Sequence, residues 1–542
     1  MHSTMQDTPL EIRRLLEHGS SLHSASCVST ATLGEVRRGS YHEVGANAAR
    51  LAHALRALGV RADDRVATFM WNNQEHVEAY FAVPCMGAVL HPLNFRLAEE
   101  QIRYVANHAE DKVVIVDASL LPAFARLAPE MRTVEHVVVS GGADHTLLDG
   151  TGIAVHDYQQ LIDSQPDSYP WPDTAEHQAA AMCYTSGTTG DPKGVVYSHR
   201  SIYLHAMAIT FPDTFGLSVR DCMLAIVPQF HVLAWGLPYA AFLTGASLAM
   251  PDRFLAAEPL AAFIAAARPN KAAGVPAVWR TLLQYVDAHP DADISSLREG
   301  MVGGSACSES LMRDYQERYG ITLLHAWGMT ETSPLGSVAR PPASAGLAES
   351  WRYRISQGRF VGPVEARLVG PNGSVLPNDG HSAGELHVRG PWITARYYRD
   401  NDQDKFPDGW LRTGDVGIIT PDGYLTLTDR TKDVIKSGGE WISSVDLENH
   451  LMSHPAVYEA AVIGIPDERW GERPLATIVV SEGQQVSPTE LRDYLAAKLP
   501  RWQLPDHWSF LTEVPKTSVG KFDKKVLRQQ HAGGVLDIQQ LR

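Results

Sequence analysis

The run Tyr184-Thr185-Ser186-Gly187-Thr188-Thr189-Gly190-Asp191-Pro192-Lys193-Gly194 places three glycines, four Ser/Thr hydroxyls and a lysine in one short stretch. That chemistry suits an oligophosphate: glycines let backbone N–H groups come close, hydroxyls add donors, and the ammonium supplies opposite charge. A Walker A loop is excluded, because there the lysine follows a glycine and precedes Ser or Thr, whereas Lys193 stands between Pro192 and Gly194. A flexible surface turn would explain the composition of the run but not its order.

The elements that must hold such a loop are legible around it. Ala179 to Cys183, Val113 to Val116, Val137 to Val139 and Ala273 to Val275 are short apolar runs of the strand kind, while Tyr41 to Leu58 and Glu75 to Val83 have helical spacing. Their alternation predicts an α/β fold. From Gly384 the texture shifts to short strands with turn signals such as Pro421-Asp422-Gly423, which predicts a smaller β-rich layer. From about Thr431 a separate α+β module is expected, with strands at Ala460 to Ile463 and Ala476 to Val480 and a helix opened by Ser487-Pro488-Thr489-Glu490, a capping-box pattern.

The chain has 542 residues, enough for three to four folding units at about 150 residues each. Its net charge of −15 gives no basic footprint, so nonspecific nucleic-acid binding is excluded as a class. Five widely spaced cysteines form neither a disulfide framework nor a paired metal pattern, and 23 histidines make no zinc-like cluster. With no apolar leader before Arg14, a reducing cytoplasm is the expected compartment. Cys222 to Met250 carries no Asp, Glu, Lys or Arg and exceeds the roughly 20 residues of a membrane span. Pro228, Gln229, His231, Pro238 and Gly245 interrupt it, however, and it reads as a buried strand, a loop, a short helix and a second strand, part of whose apolar surface lines a cavity for an apolar ligand.

The phosphate-loop order resembles the signature of the adenylate-forming superfamily, which holds acyl-CoA synthetases, aryl-CoA ligases, peptide-synthetase adenylation domains and firefly-type luciferases. Further matches fall in the expected order and extend from about Tyr41 to Arg528. Gly303-Gly304-Ser305-Ala306 resembles the adenine-side turn; His325-Ala326-Trp327-Gly328-Met329-Thr330-Glu331 the aromatic-Gly-x-Thr-Glu motif; and Thr413-Gly414-Asp415 the ribose-binding motif. Asp429-Arg430-Thr431-Lys432-Asp433 resembles the hinge, Lys436-Ser437-Gly438-Gly439-Glu440-Trp441 the thiolation-side loop, and Pro515 to Lys521 the catalytic-lysine motif. The resemblance implies a large multi-layered N-terminal domain over residues 1–428 with α/β and β-rich subdomains, a hinge at 429–434, and a small mobile α+β domain over 435–542.

It also implies site roles. Thr185, Ser186, Gly187, Thr188, Thr189, Gly190 and Lys193 would hold ATP with Gly304, Ser305, Ala326, Trp327, Gly328, Thr330, Asp415, Arg430, Lys432, Lys436 and Trp441. Thr185 and Glu331 would hold Mg²⁺, and Lys521 would be the catalytic lysine. Lys436, Ser437, Gly438, Gly439 and Glu440 would serve coenzyme A. His231, counted among the catalytic residues, and Trp235 would border an acyl pocket with Gly304 and Trp327, as in fatty acyl-CoA synthetases.

The chemistry explains why such groups must converge. A carboxylate becomes an acylating agent as a mixed anhydride with AMP, but it must first approach a polyanion, and like charges about 4 Å apart repel by several kcal/mol at an effective dielectric near 20. A hard cation on Glu331 and Thr185 and the Lys521 ammonium are candidates to offset that repulsion. Each residue also has a plainer reading. Glu331 and Asp415 are surface or capping carboxylates, Arg430 a domain-interface cation, Lys521 a solvated lysine, and His231 and Trp235 core packing.

The expected activity is an ATP-dependent ligase of a medium- or long-chain fatty acid and coenzyme A, proceeding through acyl-AMP. Alternatives are a ligase for an aromatic or short branched acid and an enzyme passing acyl-AMP to a carrier protein; a luciferase-like oxidation is disfavoured. From other classes stand a nonenzymatic nucleotide-sensing scaffold and a dinucleotide oxidoreductase, the latter disfavoured because no Gly-x-Gly-x-x-Gly follows a strand. A homodimer is left open.

Overall fold

A computed structural model describes every residue except 2, 143, 186–190, 431, 439, 518–520 and 542, and the backbone alone of Glu440 and Trp441. The chain forms two compact units. The first takes residues 1–301, 328–336 and 390–404; the second takes 302–327, 337–389 and 405–542.

The first unit holds a seven-stranded sheet in the spatial order Ala154–Asp157, His136–Ser140, Asp111–Asp117, Arg65–Phe69, Val89–Pro92, Ala179–Tyr184, Gly194–Ser198. Neighbours are parallel except the last pair, an antiparallel hairpin that closes on Tyr184 opposite Gly194. Parallel strands are covered on both faces, which is why the runs at 113–116 and 137–139 read as continuously apolar; Val114, Val116, Val137 and Val139 pack with Phe69, Phe124 and Leu121 in one core, and Val113, Ile115 and Val138 are buried as well. A second run of strands, Lys271–Gly274, Cys222–Ala225, Ser247–Met250 and Cys27–Ala31, is parallel, with Val36–Ser40 antiparallel at its edge. Helix Tyr41–Ala57 opens on a capping box in which Ser40 and Glu43 each bond the other's backbone N–H.

Within the second unit, Val375–Leu376, Glu365–Val369, Gly384–Arg389, Leu411–Ile419, Tyr424–Arg430 and Gly358–Phe360 pair antiparallel in that order. The β-rich layer thus begins at Gly358, earlier than the expected Gly384. The C-terminal sheet is built on Gly471–Val480, antiparallel to Val457–Asp467 and parallel to His507–Phe510. Trp508, Ile478, Val462 and Leu491 fill one core beside it. Helix Pro488–Ala496 starts where its sequence signal places it, and the serine half of the expected box is present, with Ser487 Oγ accepting from Glu490 N at 3.2 Å.

The uncharged stretch from Cys222 gives strand Cys222–Ala225, helix Leu237–Thr244 and strand Ser247–Met250, and among the described residues no helix is long and apolar enough to cross a membrane.

Candidate active site

In the first unit the phosphate-loop hairpin is closed at its base by two hydrogen bonds: Thr185 N donates to Lys193 O at 3.0 Å, and Lys193 N donates to Thr185 Oγ1 at 3.1 Å. The tip, Ser186 to Gly190, lies outside the described residues. The Lys193 ammonium donates to Asp402 Oδ2 at 2.8 Å, stands 3.1 Å from Asp400 Oδ2, and lies 4.9 Å from the Tyr397 ring centroid. Burial works against its charge, but the two aspartates outweigh it and raise the lysine's pKa.

Tyr397 carries the connection onward. Its hydroxyl donates to Glu331 Oε1 at 2.6 Å, and burial first, then the neighbouring carboxylate, pushes its own pKa up. Glu331 sits buried on the turn Thr330–Thr332, fixed by Thr394 N donating to its carbonyl at 2.8 Å and by Tyr197 Oη donating to Thr330 O at 2.8 Å. Gly328 has no room for a side chain, since a Cβ would lie 2.0 Å from the Pro334 carbonyl oxygen. Thr185, Lys193, Gly328, Thr330 and Glu331 thereby share one framework, completed by Tyr397, Asp400 and Asp402, which sequence reasoning did not single out. Their only mark is an acid- and tyrosine-rich run on irregular backbone, with no period to read.

Thr185 Oγ1 and the Glu331 carboxylate are hard oxygen donors, and the tyrosine hydroxyl occupies only one of the carboxylate's acceptor positions. No cluster of three or more His, Cys, Asp or Glu side chains able to hold a metal occurs among the described residues. By the chemistry of their oxygens, Thr185 and Glu331 suit Mg²⁺, which takes one or two protein ligands together with substrate phosphates and water.

His231 and Trp235 lie in the same unit, at the start of and within an irregular turn. Val232, Leu233, Ala234, Trp235 and Gly236 have φ of +39°, +47°, +51°, +54° and +73°, a left-handed turn. For non-glycine residues that conformation costs about 1–2 kcal/mol each. Burial of all five residues holds it. His231, half-buried, precedes the turn and accepts through its carbonyl from Ala234 N at 3.1 Å.

In the second unit, Trp327 Nε1 donates to Asp415 Oδ2 at 2.8 Å and Arg430 Nε lies 3.0 Å from Asp415 Oδ1. Asp415 and Arg430 face each other across paired strands, so register alone sets their meeting. His325, buried, lies with Nε2 3.3 Å from Ser305 O; burial pushes its pKa down to about 4 and keeps it neutral beside the Gly304-Ser305 turn. Ala326 follows on the same strand. Gly304 has φ +86°, open to glycine without strain.

The C-terminal residues occupy distinct places in this unit. Lys521 lies half-buried against Thr517, with Thr517 N donating to Lys521 O at 2.7 Å and Lys521 N to Thr517 Oγ1 at 3.2 Å; Ser518, Val519 and Gly520 of its motif lie outside the described residues. Lys432 is exposed and its carbonyl accepts from Arg528 at 3.3 Å. Lys436 is exposed on Ile435–Ser437, and Ser437 is buried. Gly438 has φ +61° and donates to Trp470 O at 2.7 Å. The strand pairs Lys436 with Trp441 and Ser437 with Glu440; Gly439 lies outside the described residues.

This is the fold and motif order of an adenylate-forming enzyme. Its superposition on the crystal structure of an anthranilate CoA ligase in complex with anthranoyl-AMP gives a TM-score of 0.86 over 98% of this chain and 100% of that one, at 24% identity. The AMP-binding enzyme profile matches residues 23–398 and the AMP-binding enzyme C-terminal domain residues 446–521. The chain is 43% identical over 536 residues, 98% of each sequence, to a medium-chain-fatty-acid–CoA ligase of Ectopseudomonas oleovorans. It is also 43% identical over 537 residues, 98% of this chain and 97% of the other, to a long-chain-fatty-acid–CoA ligase of Thermus thermophilus. The chain belongs to the AMP-binding enzyme family.

Proposed function

We propose that the protein is an ATP-dependent fatty acyl-CoA ligase of medium- or long-chain specificity. The carboxylate attacks the α-phosphate of ATP to give acyl-AMP and pyrophosphate; the thiol of coenzyme A then attacks the acyl carbonyl and AMP leaves. The observation that carries this reading is the convergence on Tyr397 of the phosphate-loop lysine and the motif glutamate. Fatty acid as the acyl class is supported by the buried, uncharged Cys222 to Met250 stretch and by the names of the two relatives.

In this reading Thr185 and Glu331 would hold Mg²⁺, which when bound neutralises phosphate charge. Trp327 orients Asp415 so that its remaining acceptor capacity meets the ribose hydroxyls. Gly304, Ser305 and Ala326 flank the adenine. Lys521 brings a cation to the α-phosphate, and the 436–440 segment organises the acceptor thiol. Both lie on one small module, 435–542, so residues 429–434 serve as a hinge that presents them in turn. His231 and Trp235 border the acyl chain. The compartment is the cytoplasm, consistent with five cysteines that all stand as free thiols.

The test is acid-dependent ATP–pyrophosphate exchange and thioester formation across unbranched aliphatic, short branched and aromatic acids. Exchange with medium or long aliphatic acids, followed by thioester on adding coenzyme A, is expected. Preference for aromatic acids would overturn the acyl assignment, exchange without thioester the acceptor, and no exchange with any acid the whole reading.

A further inference from the structure

Arg473 stands on the central C-terminal strand Gly471–Val480 with its side chain buried. Its Nη1 donates to Ser437 Oγ at 3.1 Å and to Trp502 O at 2.7 Å, its Nη2 to Leu504 O at 2.9 Å, and its Nε to Asp506 Oδ2 at 2.6 Å. All three guanidinium nitrogens are thus engaged, and Asp506 balances the charge, so the group is no anion site. A planar fork of fixed donors specifies where its partners sit, which a flexible lysine does not.

What it specifies is one edge of the module. Ser437 ends the strand Ile435–Ser437 and pairs with Gly471 on Arg473's own strand, and the next residue, Gly438, donates to the carbonyl of Trp470 just before that strand, with an added Cβ only 2.7 Å from the Trp470 ring. Lys521 has different supports: its bonds with Thr517, and nearby Lys516 Nζ 2.7 Å from Glu459 Oε1. The two functional elements of one module are therefore braced separately.

We propose that Arg473 is a positioning residue for the acyl-transfer half-reaction, holding the Ser437-Gly438 turn and the Trp502–Leu504 backbone in one frame. This rests on the reading that the 436–440 turn serves transfer to coenzyme A.

The test separates the half-reactions in the full-length enzyme. Arg473→Gln is expected to slow single-turnover transfer from supplied acyl-AMP to coenzyme A by at least about tenfold, as misplacement of a reacting framework does. ATP–pyrophosphate exchange should stay within about twofold of wild type. Because exchange uses Lys521 of the same module, its retention reports that the module is folded. Ser437→Ala, which removes a single contact, should act in the same direction and more weakly, and Arg473→Lys should recover only part of the rate. Transfer at the wild-type rate in Arg473→Gln, or both halves reduced equally in Ser437→Ala with unchanged thermal unfolding, would overturn the proposal. Gly438→Ala distinguishes the underlying reading: if it leaves transfer untouched, the turn itself has no part in that step. If it slows transfer while Arg473→Gln does not, only the role of Arg473 falls.

Discussion

The Tyr397 hydroxyl donates to Glu331 Oε1 across 2.6 Å, and the same ring lies 4.9 Å from the Lys193 ammonium. One aromatic side chain therefore orients the candidate metal ligand and borders the phosphate-loop cation. A hydrogen bond to a charged group is worth about 1.5–3 kcal/mol, so Tyr397→Phe should slow adenylation by roughly ten- to a hundredfold with every acid. Raising Mg²⁺ should restore part of it. Exchange kinetics at varied Mg²⁺ check this, and an unchanged rate would detach Tyr397 from the site.

Gly328→Ala forces a Cβ to within 2.0 Å of a backbone oxygen, which no rotamer can relieve. The Thr330–Thr332 turn must move, and Glu331 with it. Adenylation should fall by about a hundredfold or more. The accompanying drop in thermal stability should be modest, about 1–3 kcal/mol of overpacking. A variant that exchanges pyrophosphate normally would mean the turn tolerates displacement.

Trp327→Phe removes the indole donor to Asp415 while leaving Arg430 at 3.0 Å. Since ribose is present in both ATP and acyl-AMP, both half-reactions should weaken, with KM for ATP rising about tenfold. This contrasts with Tyr397→Phe, which should spare transfer from supplied acyl-AMP. A Trp327→Phe enzyme impaired in adenylation alone would remove Asp415 from the ribose.

Trp235→Ala should reshape the chain-length profile, because an apolar pocket separates acids by about 0.8 kcal/mol per buried methylene. The readout is kcat/KM across a homologous series. Equal losses for all acids would place Trp235 in the core and not in the pocket wall.

Burial pushes His76, His199 and His325 down to about 4 and His205 to about 3. These imidazoles are neutral in the fold, whereas the unfolded chain protonates them below about 6.5, so between about pH 4 and 6.5 the unfolded state binds more protons and stability rises with pH. Their contribution is complete above 6.5 and lost as pH falls, each costing up to about 1.4 kcal/mol per pH unit. His199→Gln, whose native ring accepts from Ile12 N at 3.3 Å, should lower the slope of unfolding free energy against pH by about one proton. An unaltered slope would show that His199 does not drive it.

Much of this was legible in the residues. The valine runs at 113–116 and 137–139 announced themselves because both faces of a parallel sheet are buried, and Ser487 marked its helix because capping is local chemistry. Glu331 and Asp415 were named by the order of their motifs. Tyr397, Asp400 and Asp402 were not, since irregular backbone has no period and their roles arise from contacts with Lys193 and Glu331, distant in sequence. The left-handed turn was hidden because only Gly236 of its five residues favours positive φ, and tertiary burial imposes the rest. The early start of the β-rich layer depends on Gly358 pressing its Cα against the Val338 backbone, a closeness that strand patterns do not encode.

The first unit is interrupted twice by chain that belongs to the second, and is complete only at residue 404. On a translating ribosome this sets an order of events. A nascent chain extended as far as residue 301 already contains the seven-stranded sheet yet has neither Glu331 nor Tyr397, and their meeting waits until the 390–404 segment emerges. At about 5–20 residues per second that wait lasts on the order of 5–20 s, during which apolar surface of the unfinished unit is open to chaperones and to neighbouring chains.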